Sequence, residues 1–335
     1  MARKPCGGGA AIAIGALTAY DSAAPHALRG QLYALTGYAE IYLADLFCSG
    51  IPLSTLNFSG TSTFTYTPGY STTQVYLDAI SQFNQALALS TDSARLLNMA
   101  RVGKGRAWLA LGQYDSAAVA VAPVPDGFTY STLEQWDNIS SEGHDNMTWL
   151  GNATVSDSEG IVGLPFRSSQ DPRSAVQPGG LNAFGRQLFW PVKYGGATPS
   201  VYPFTVADWI EARLITAEAA WHHPGAWGNW LTQLNALRET AITPALPDLT
   251  DPGTPAAQVA LLFRERAFWL FLTGHRQGDL RRLLRQYESL GFTQVYPYGP
   301  YPSSTLGAYG NDVTAPIPTA ELANPLFHGC ISTGA

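Results

Sequence analysis

The sequence of 335 residues contains little charge, with 13% charged residues and very few lysines. Beyond the first few residues only Lys104 and Lys193 occur, and the formal net charge is −6. Phosphate binding requires clustered lysine and arginine, so this composition argues against a nucleic-acid-binding surface. The sequence also lacks any run of about 18 apolar residues, so we expect no helix that spans a membrane.

Cysteines are equally scarce. Cys6, Cys48 and Cys330 lie too far apart in sequence for a CxxC metal or redox site, and the histidines show no metal-ligand spacing. No nucleophile elbow and no phosphate-binding loop is present. The sequence therefore predicts no metal site and no cofactor.

Hydrophobic residues are abundant at 46%, and the chain contains nine Trp, sixteen Tyr, 33 Gly and 23 Pro. This composition allows a large core together with long aromatic loops, and exposed loop aromatics often serve recognition. Residues 1–24 have a basic end and a short apolar stretch, which is a poor secretory signal, and we treat them as a leader of uncertain status. We expect residues 25–335 to form a single domain.

Helical periodicity runs through most of this domain. Apolar residues recur at threes and fours over 26–47, 71–89 and 92–111, and Gly112 separates the last of these from 113–121. Gly105, Trp108, Gly112, Tyr114 and Val121 have the spacing of a tetratricopeptide-type helical hairpin, in which small residues let two helices touch. We expect these residues to serve packing rather than ligand contact.

Periodicity disappears between residues 123 and 204, where Gly, Pro, Asn and Ser alternate with aromatic residues. Loops of this length in a compact domain are usually functional or disordered, and the aromatic content speaks against disorder. We therefore place the binding surface mainly in this segment. Helices resume after Thr205, which we predict as an N-cap, and continue from Pro224.

Glu265 lies in the middle of an almost fully apolar helix over 259–272. A buried carboxylate without a partner would cost several kcal/mol, so it requires a basic neighbour. Gly274 is placed to end this helix in the left-handed conformation, after which a second helix returns the basic side chains. We expect a structural ion-pair network, whose members are Glu265, Arg276, Asp279 and Arg282. The alternative is that Glu265 is a catalytic acid, but no partner for it is evident nearby.

Seven collinear segments of the chain carry a recognisable pattern. They are L-A-D-L-F-C-S-G-I-P-L-S (43–54), A-R-V-G-K-G-R-A-W-L-A-L-G-Q-Y (100–114), D-S-E-G-I-V-G-L-P-F with D-P-R (157–173), E-A-R-L-I-T-A-E-A (211–219), L-N-A-L-R (234–238), R-E-R-A-F-W-L-F-L-T-G-H-R-Q-G-D-L-R-R (264–282) and P-I-P-T-A-E-L-A-N-P (316–325). Together they resemble the SusD/RagB family of outer-membrane nutrient-binding lipoproteins, from residue 28 onward.

The resemblance implies a mainly α fold of tetratricopeptide-like hairpins with a loop-rich face that binds glycan or another nutrient. It implies a non-catalytic protein at the cell outer membrane that hands its ligand to a SusC-type TonB-dependent channel. Members of this family usually begin with a lipoprotein signal ending in a small residue and Cys. Here A-R-K-P precedes Cys6, so the sequence resembles a truncated member and a lipid anchor is not evident.

An extracytoplasmic domain of this kind favours oxidation of its thiols. The proline-rich tail cannot be helical and must drape over the domain, which could return Cys330 to the end of the first long helix. We therefore consider a disulfide between Cys48 and Cys330, with two separate buried thiols as the alternative.

Loop aromatics are the expected sugar-stacking platforms, because an aromatic face covers the C–H side of a sugar while polar groups bind its hydroxyls. The alternative for each tryptophan is that it anchors its loop to the core. The candidate ligand-binding residues are Trp136 and Trp149, the polar Glu142, Asp145 and Asn146 between them, and the tail tyrosines Tyr296, Tyr298 and Tyr301.

Two other classes of protein remain open. Glu211 and Glu218 are seven residues apart on one helix, about 10 Å along its axis, which is near the carboxyl separation of inverting glycosidases. Tetratricopeptide hairpins also commonly bind peptides, so a protein-interaction scaffold is an alternative. An exposed concave groove of helices would favour that scaffold, whereas aromatics on loops favour nutrient binding.

Overall fold

The computed structural model describes residues 6–21, 23–57, 63–135, 154–182, 185–193, 201–301 and 307–335. Helices make up most of its regular structure, and its short strands form antiparallel pairs. The predicted mainly α fold class is therefore confirmed. Among the helices so described, none is long and apolar enough to cross a membrane.

In the described part of its first half, the chain forms five helices, which pack as successive hairpins. They are α1 (Cys6–Tyr20), α2 (His26–Leu46), α3 (Thr72–Leu89), α4 (Ala94–Ala110) and α5 (Tyr114–Val121). Helix α3 begins where the Ser71 side chain accepts from the Gln74 backbone N–H and the Gln74 side chain accepts from the Ser71 N–H. This capping box satisfies two of the free N–H groups at the start of the helix.

Small residues set the distances between these helices. A Cβ atom added at Gly103 would lie 2.3 Å from Phe83 Cζ, and one at Gly37 would lie 2.8 Å from the same atom. The Phe83 ring therefore fills the space that α2 and α4 leave for it. A Cβ at Gly105 would lie 2.4 Å from Val121 Cγ1, so α4 and α5 touch as the predicted tetratricopeptide-type hairpin requires.

The described residues of the second half form five further helices around a second apolar core. They are α6 (Trp209–His222), α7 (Pro224–Trp227), α8 (Trp230–Thr240), α9 (Pro255–Trp269) and α10 (Arg276–Gln286). Leu214, Leu234 and Leu262 lie at the centre of this core and are at most 1% exposed. Gly228, with φ 80°, separates α7 from α8, where the sequence had predicted one continuous helix.

Two predicted helix boundaries differ from the structure. The N-cap of α6 is Asp208, whose carboxylate accepts from the Glu211 backbone N–H, while the predicted cap Thr205 lies in a strand. Asp208 is a better N-cap than Thr205 because its negative charge also interacts favourably with the positive N-terminal end of the helix dipole. Helix α9 ends at Trp269, and Gly274 adopts the predicted left-handed conformation, with φ 81°, in the turn that leads to α10.

Within the described ranges, the strands form four antiparallel pairs beside the helices. They are β1 (Ile51–Pro52) with β4 (Gly69–Tyr70), β2 (Thr55–Asn57) with β3 (Thr63–Thr65), β5 (Thr129–Gln135) with β8 (Val201–Asp208), and β6 (Val176–Leu181) with β7 (Gln187–Pro191). The β5–β8 pair sets Thr129 against Asp208 and Gln135 against Val201. The long loop-rich insertion therefore runs mostly between β5 and β8, two strands that lie side by side.

The C-terminal tail drapes over the end of α2. Cys48 and Cys330 form a disulfide with their Cα atoms 5.9 Å apart, and backbone bridges join Phe47 to Ala315 and Ser49 to Ser332. The Arg281 guanidinium donates to the carbonyls of Ala44 and Asp45 in the same region. Residues almost 300 positions apart in sequence thus meet at one junction.

The buried ion pairs differ from those that the sequence predicted. Glu265 does not pair with Arg276 or Arg282. Its oxygens lie 2.6 Å from Arg173 Nη1 and 2.9 Å from Arg238 Nη1. The reason is geometric: consecutive helix residues point about 100° apart, so Glu265 faces α8 and the turn at Pro172–Ser174 while Arg266 faces α10.

The other predicted members form a separate network on that second side. Asp279 accepts from Arg266 at 3.0 Å and from Arg282 at 2.9 Å, and Arg282 Nη1 also lies 2.5 Å from Glu218 Oε1. Burial opposes ionisation of Asp279, but the two arginines outweigh it and hold the pKa of this carboxyl well below its ordinary value. Arg276 makes no ion pair with another residue of the described ranges.

Candidate functional site

The predicted ligand-binding residues fall into two groups. Trp136, Glu142, Asp145, Asn146 and Trp149 lie outside the described residues. The tail tyrosines Tyr296, Tyr298 and Tyr301 are described, and the structure gives them different roles. A candidate site can therefore be built from the tail and from the elements on which it packs.

Tyr296 serves the fold. Its hydroxyl donates towards the Val313 carbonyl at 3.2 Å and the Gln277 carbonyl at 3.4 Å, and its ring packs against the second core. Burial, aided by the nearby Asp45 carboxylate, raises the pKa of Tyr296 to about 12, so this hydroxyl stays protonated. Because both its ring and its hydroxyl contact the protein, Tyr296 anchors the tail and does not serve as a stacking platform.

Tyr301 belongs to a narrow hairpin that projects from the tail. The Tyr301 N–H donates to the Gly307 carbonyl at 2.8 Å, and the Tyr309 N–H donates to the Gly299 carbonyl at 3.1 Å. Gly299 has φ 87°, a conformation that favours glycine because it has no Cβ. The hairpin brings two tyrosines together that are eight positions apart in sequence.

The rings of Tyr301 and Tyr309 form an inclined pair at the surface. Their centroids are 5.0 Å apart and their planes meet at 58°. The Tyr301 side chain is among the exposed aromatic groups of the molecule, whereas Tyr309 is half-buried. Inclined or offset rings at this separation are a favourable arrangement for an aromatic pair, so each ring helps to hold the other in place.

A carboxylate completes this arrangement. The Tyr309 hydroxyl donates to Glu159 Oε1 at 2.7 Å. Desolvation and the Glu159 carboxylate together raise the pKa of Tyr309 above its ordinary value, so the phenol remains a donor at neutral pH. The hydroxyl oxygen of Tyr309 and the second oxygen of Glu159 are left as acceptors for ligand hydroxyl groups.

The loop that carries Glu159 is locked against the tail. The Ile161 N–H donates to the Tyr298 carbonyl at 3.1 Å, and a Cβ at Gly160 would lie 2.8 Å from the Tyr298 backbone nitrogen and oxygen. Gly160 adopts φ 59°, so both its conformation and its surroundings require glycine. Tyr298 therefore contributes through its backbone by placing Glu159 beside the hairpin.

The same loop exposes Ile161, whose side chain is 63% exposed and lies against Gly299. The opposite end of the loop is closed by Asp157, which accepts from the backbone N–H groups of Arg167 and Ser168 at 3.1 and 2.9 Å. We call the surface formed by Glu159, Ile161, Tyr301 and Tyr309 the tyrosine–glutamate patch. It offers two aromatic rings, an aliphatic side chain and a carboxylate on a rigid support.

Of the four members of this patch, the sequence had indicated only Tyr301. Tyr309 follows Gly307 and Ala308 in the tail. The frequent Tyr, Gly and Pro residues between 296 and 310 indicate turns, and a turn between Tyr301 and Tyr309 would bring the two rings together. Glu159 lies in the D-S-E-G segment, whose resemblance to family members suggested a scaffold role. Its contact with Tyr309 joins residues 150 positions apart, which no local pattern reveals.

Glu211 and Glu218, the pair considered for a glycosidase, are both held by arginine. Glu211 accepts from Arg106 at 2.6 Å through each of its oxygens, and Glu218 accepts from Arg282 at 2.5 and 3.0 Å. Burial would raise the pKa of Glu211, but Arg106 and His275 outweigh it and lower the pKa to about 2. A general acid needs a raised pKa and access to substrate, and these two side chains are at most 1% exposed.

In the described ranges, no group of three or more His, Cys, Asp or Glu side chains lies close enough to hold a metal ion. The side chains of the tyrosine–glutamate patch themselves offer aromatic stacking and hydrogen bonding. This suits a polyhydroxylated ligand with an apolar face.

Comparison with known proteins relates the chain to others through its structure. No family model matches the sequence, and no curated protein matches it. A SusD-like carbohydrate binding protein from Bacteroides vulgatus ATCC 8482 is similar in structure, with a TM-score of 0.63 at 16% identity over 96% of this chain and 81% of that one.

Two further solved structures agree. A SusD superfamily protein from Bacteroides thetaiotaomicron VPI-5482 gives a TM-score of 0.62 at 15% identity over 96% of this chain and 81% of that one. The surface glycan-binding protein A from Bacteroides uniformis gives 0.57 at 15% identity over 95% and 81%. The predicted resemblance is thus confirmed at the level of structure: the chain has the SusD-like fold.

Proposed function

We propose that this protein binds a glycan through the tyrosine–glutamate patch and that it does so without catalysis. The observation that carries the proposal is the Tyr301–Tyr309 pair with Glu159 bound to the Tyr309 hydroxyl. The rings would cover the C–H face of a sugar while the carboxylate accepts from its hydroxyl groups. The fold supports the proposal because solved proteins that share it are described as carbohydrate-binding or glycan-binding.

The non-catalytic part of the proposal rests on the acidic residues. Glu211 and Glu218 are neutralised by arginine inside the helical body, and Glu265 is likewise held by Arg173 and Arg238. At the patch itself Glu159 is the acidic member, whereas glycoside hydrolysis ordinarily requires two carboxyl groups across the scissile bond. Binding is the chemistry that this arrangement serves best.

The wider role follows from the resemblance to SusD/RagB proteins. We propose that the protein acts at the cell outer membrane and delivers its ligand to a SusC-type TonB-dependent channel. The segment with Trp136, Glu142, Asp145, Asn146 and Trp149 remains part of the proposed binding surface on the grounds of its sequence. Stacking on these tryptophans would extend the contact beyond the two tyrosines.

A glycan array provides the first test of the proposed function. The wild-type protein should bind a subset of immobilised glycans, and the double variant Tyr301→Ala/Tyr309→Ala should lose that binding. Tyr296→Phe is the matched control, because it alters a tyrosine of the same tail but only removes a hydroxyl bonded to backbone carbonyls. Equal binding by the wild type and the double variant would place the site elsewhere, and binding of peptides without glycans would favour a protein-interaction scaffold.

A further inference from the structure

A cavity lies on the helical body, on elements other than those that form the patch. Its volume is about 460 Å³, and it is lined by Leu53, Tyr70, Gln74, Leu77 and Asp78. These residues belong to β4, α3 and the turn after β1. Small-molecule sites commonly have volumes of about 300–1,000 Å³ with apolar walls and a few placed polar groups, and this cavity has both properties.

Behind the cavity wall, Asp78 stands beside the buried Glu40 of α2. The Gln82 amide nitrogen bridges them, at 3.3 Å from Asp78 Oδ2 and 3.5 Å from Glu40 Oε1. Glu40 is 5% exposed, and its carboxyl is hydrogen-bonded to the Asp78 side chain. Burial and the neighbouring Asp78 carboxylate raise the pKa of Glu40 to about 9.

This acidic pair contrasts with the other buried glutamates of the described chain. Glu211, Glu218 and Glu265 each form an ion pair with at least one arginine. Glu40 and Asp78 have no such partner among the described residues, and α3 contains no basic residue at all. On α2 the only arginine is Arg29, eleven residues from Glu40, which is about 16 Å along a helix.

Asp78 therefore brings to the cavity a carboxylate that has no arginine or lysine partner among the described residues. A primary ammonium group placed against Asp78 would supply the missing cation and three N–H donors. Gln74 adds a polar donor: its oxygen already accepts from the Ser71 N–H, so its amide NH₂ group is left for a ligand. Tyr70, Leu53 and Leu77 supply an aromatic and aliphatic wall.

We propose that this cavity binds an amino sugar, with its protonated amine on the Asp78 carboxylate and its ring against Tyr70. The volume suits a single sugar ring with water, and the mixture of aromatic wall, amide and carboxylate suits hydroxyl groups as well as the amine. Glu40 is a positioning residue behind Asp78: its protonated carboxyl is hydrogen-bonded to the Asp78 side chain and holds that carboxylate in place for the ammonium group. The site is independent of the tyrosine–glutamate patch.

The test uses D-glucosamine as the probe, with D-glucose and N-acetyl-D-glucosamine as matched uncharged sugars. Nuclear magnetic resonance of the isotope-labelled full chain would follow the amide signals of Tyr70, Gln74, Leu77 and Asp78. D-Glucosamine should shift these signals saturably, and the two uncharged sugars should bind at least about tenfold more weakly, as expected for the loss of a charged hydrogen bond. Equal shifts with all three sugars, or no shift with D-glucosamine, would overturn the proposal.

Substitutions test whether Asp78 is the carboxylate that binds the ammonium group. Asp78→Asn should weaken D-glucosamine binding at least about tenfold, whereas Asp92→Asn, an equal change in net charge at an exposed turn, should leave it unchanged. Tyr301→Ala/Tyr309→Ala should also leave it unchanged, which separates this site from the proposed glycan site. If Nα-acetyl-L-lysine amide shifts the same signals at lower concentration than D-glucosamine, the cavity takes a protein side chain and the amino-sugar assignment is wrong.

Discussion

Arg173 Nη1 lies 2.6 Å from Glu265 Oε2, so an arginine of the loop-rich insertion is bound to a carboxylate in the middle of helix α9. Arg173 also holds Asp171 at 2.7 Å, and Arg238 approaches Glu265 from α8. This contact fastens the segment that begins at residue 154, and with it Glu159, to the helical body. This buried ion-pair cluster therefore helps to fix the orientation of the proposed binding surface.

Replacing Glu265 should be strongly destabilising. Glu265→Ala leaves two buried guanidinium groups without their carboxylate, and we expect the free energy of unfolding to fall by about 3–5 kcal/mol. Urea unfolding of the variant and the wild type measures the difference. Arg264→Ala is the control, since Arg264 is 4.0 Å from Glu265 and largely solvated, so its loss should cost less than about 1 kcal/mol. A Glu265→Ala protein of unchanged stability that has lost glycan binding would move Glu265 into the binding site.

Removal of the disulfide between Cys48 and Cys330 should lower the free energy of unfolding, because the unfolded chain gains conformational entropy without the cross-link. The two cysteines are 282 positions apart in sequence, and the chain-entropy treatment gives about 5–6 kcal/mol for closure of a loop of this length. Cys48→Ser should therefore unfold at lower urea concentration, whereas Cys6→Ser should not. Under denaturing, non-reducing conditions the wild type should show one free thiol, and three free thiols would contradict the bond.

Glu40 should make stability fall as the pH rises. Its pKa is raised from 4.5 to about 9 in the folded protein, so between these values the folded state holds a proton that the unfolded state releases. The stabilising effect is fully present below the unfolded pKa and is lost as the pH rises towards the folded pKa. Glu40→Gln removes this titration.

The free energy of unfolding of Glu40→Gln relative to the wild type should therefore increase by at least about 1 kcal/mol between about pH 6 and about pH 9. Denaturant titrations at both pH values measure it. A difference between the two proteins that does not vary with pH would show that Glu40 is ionised in the folded state.

Close packing of α2, α3 and α4 around Phe83 should make Gly103 intolerant of any side chain. Gly103→Ala places a methyl group 2.3 Å from Phe83 Cζ, and overpacking of this kind costs about 1–3 kcal/mol. Gly225→Ala is the matched control, because a Cβ at Gly225 meets no atom within 4 Å. Thermal unfolding of the two variants should separate them clearly, and equal melting temperatures would mean that Phe83 moves away at no cost.

The helical body could be predicted from the sequence because its signals are local. The spacing of Gly105, Tyr114 and Val121 predicts the α4–α5 hairpin, and the apolar periodicity predicts the long helices. The left-handed turn at Gly274 follows from its position after a buried helix. Each of these depends on residues within two or three helical turns of one another.

The ion pairs and the patch could not be predicted in the same way. Arg173 and Glu265 are 92 positions apart, and the nearer arginines of α10 were preferred only because they are close in sequence. Which side of α9 faces which partner depends on the packing of α8, α10 and the turn at Pro172–Ser174. Similarly, Glu159 meets Tyr309 only because the 157–161 loop is locked to the Tyr298 backbone.

The most direct test of the proposed function is a calorimetric titration of a glycan identified on the array into the wild type, Tyr301→Ala, Tyr309→Ala and Tyr296→Phe. Stacking residues at the centre of a site contribute about 1–3 kcal/mol each, so Tyr301→Ala and Tyr309→Ala should each weaken binding about tenfold or more while the melting temperature scarcely changes. Tyr296→Phe should bind like the wild type. Wild-type affinity in both alanine variants would contradict the assignment of the glycan site to the tyrosine–glutamate patch.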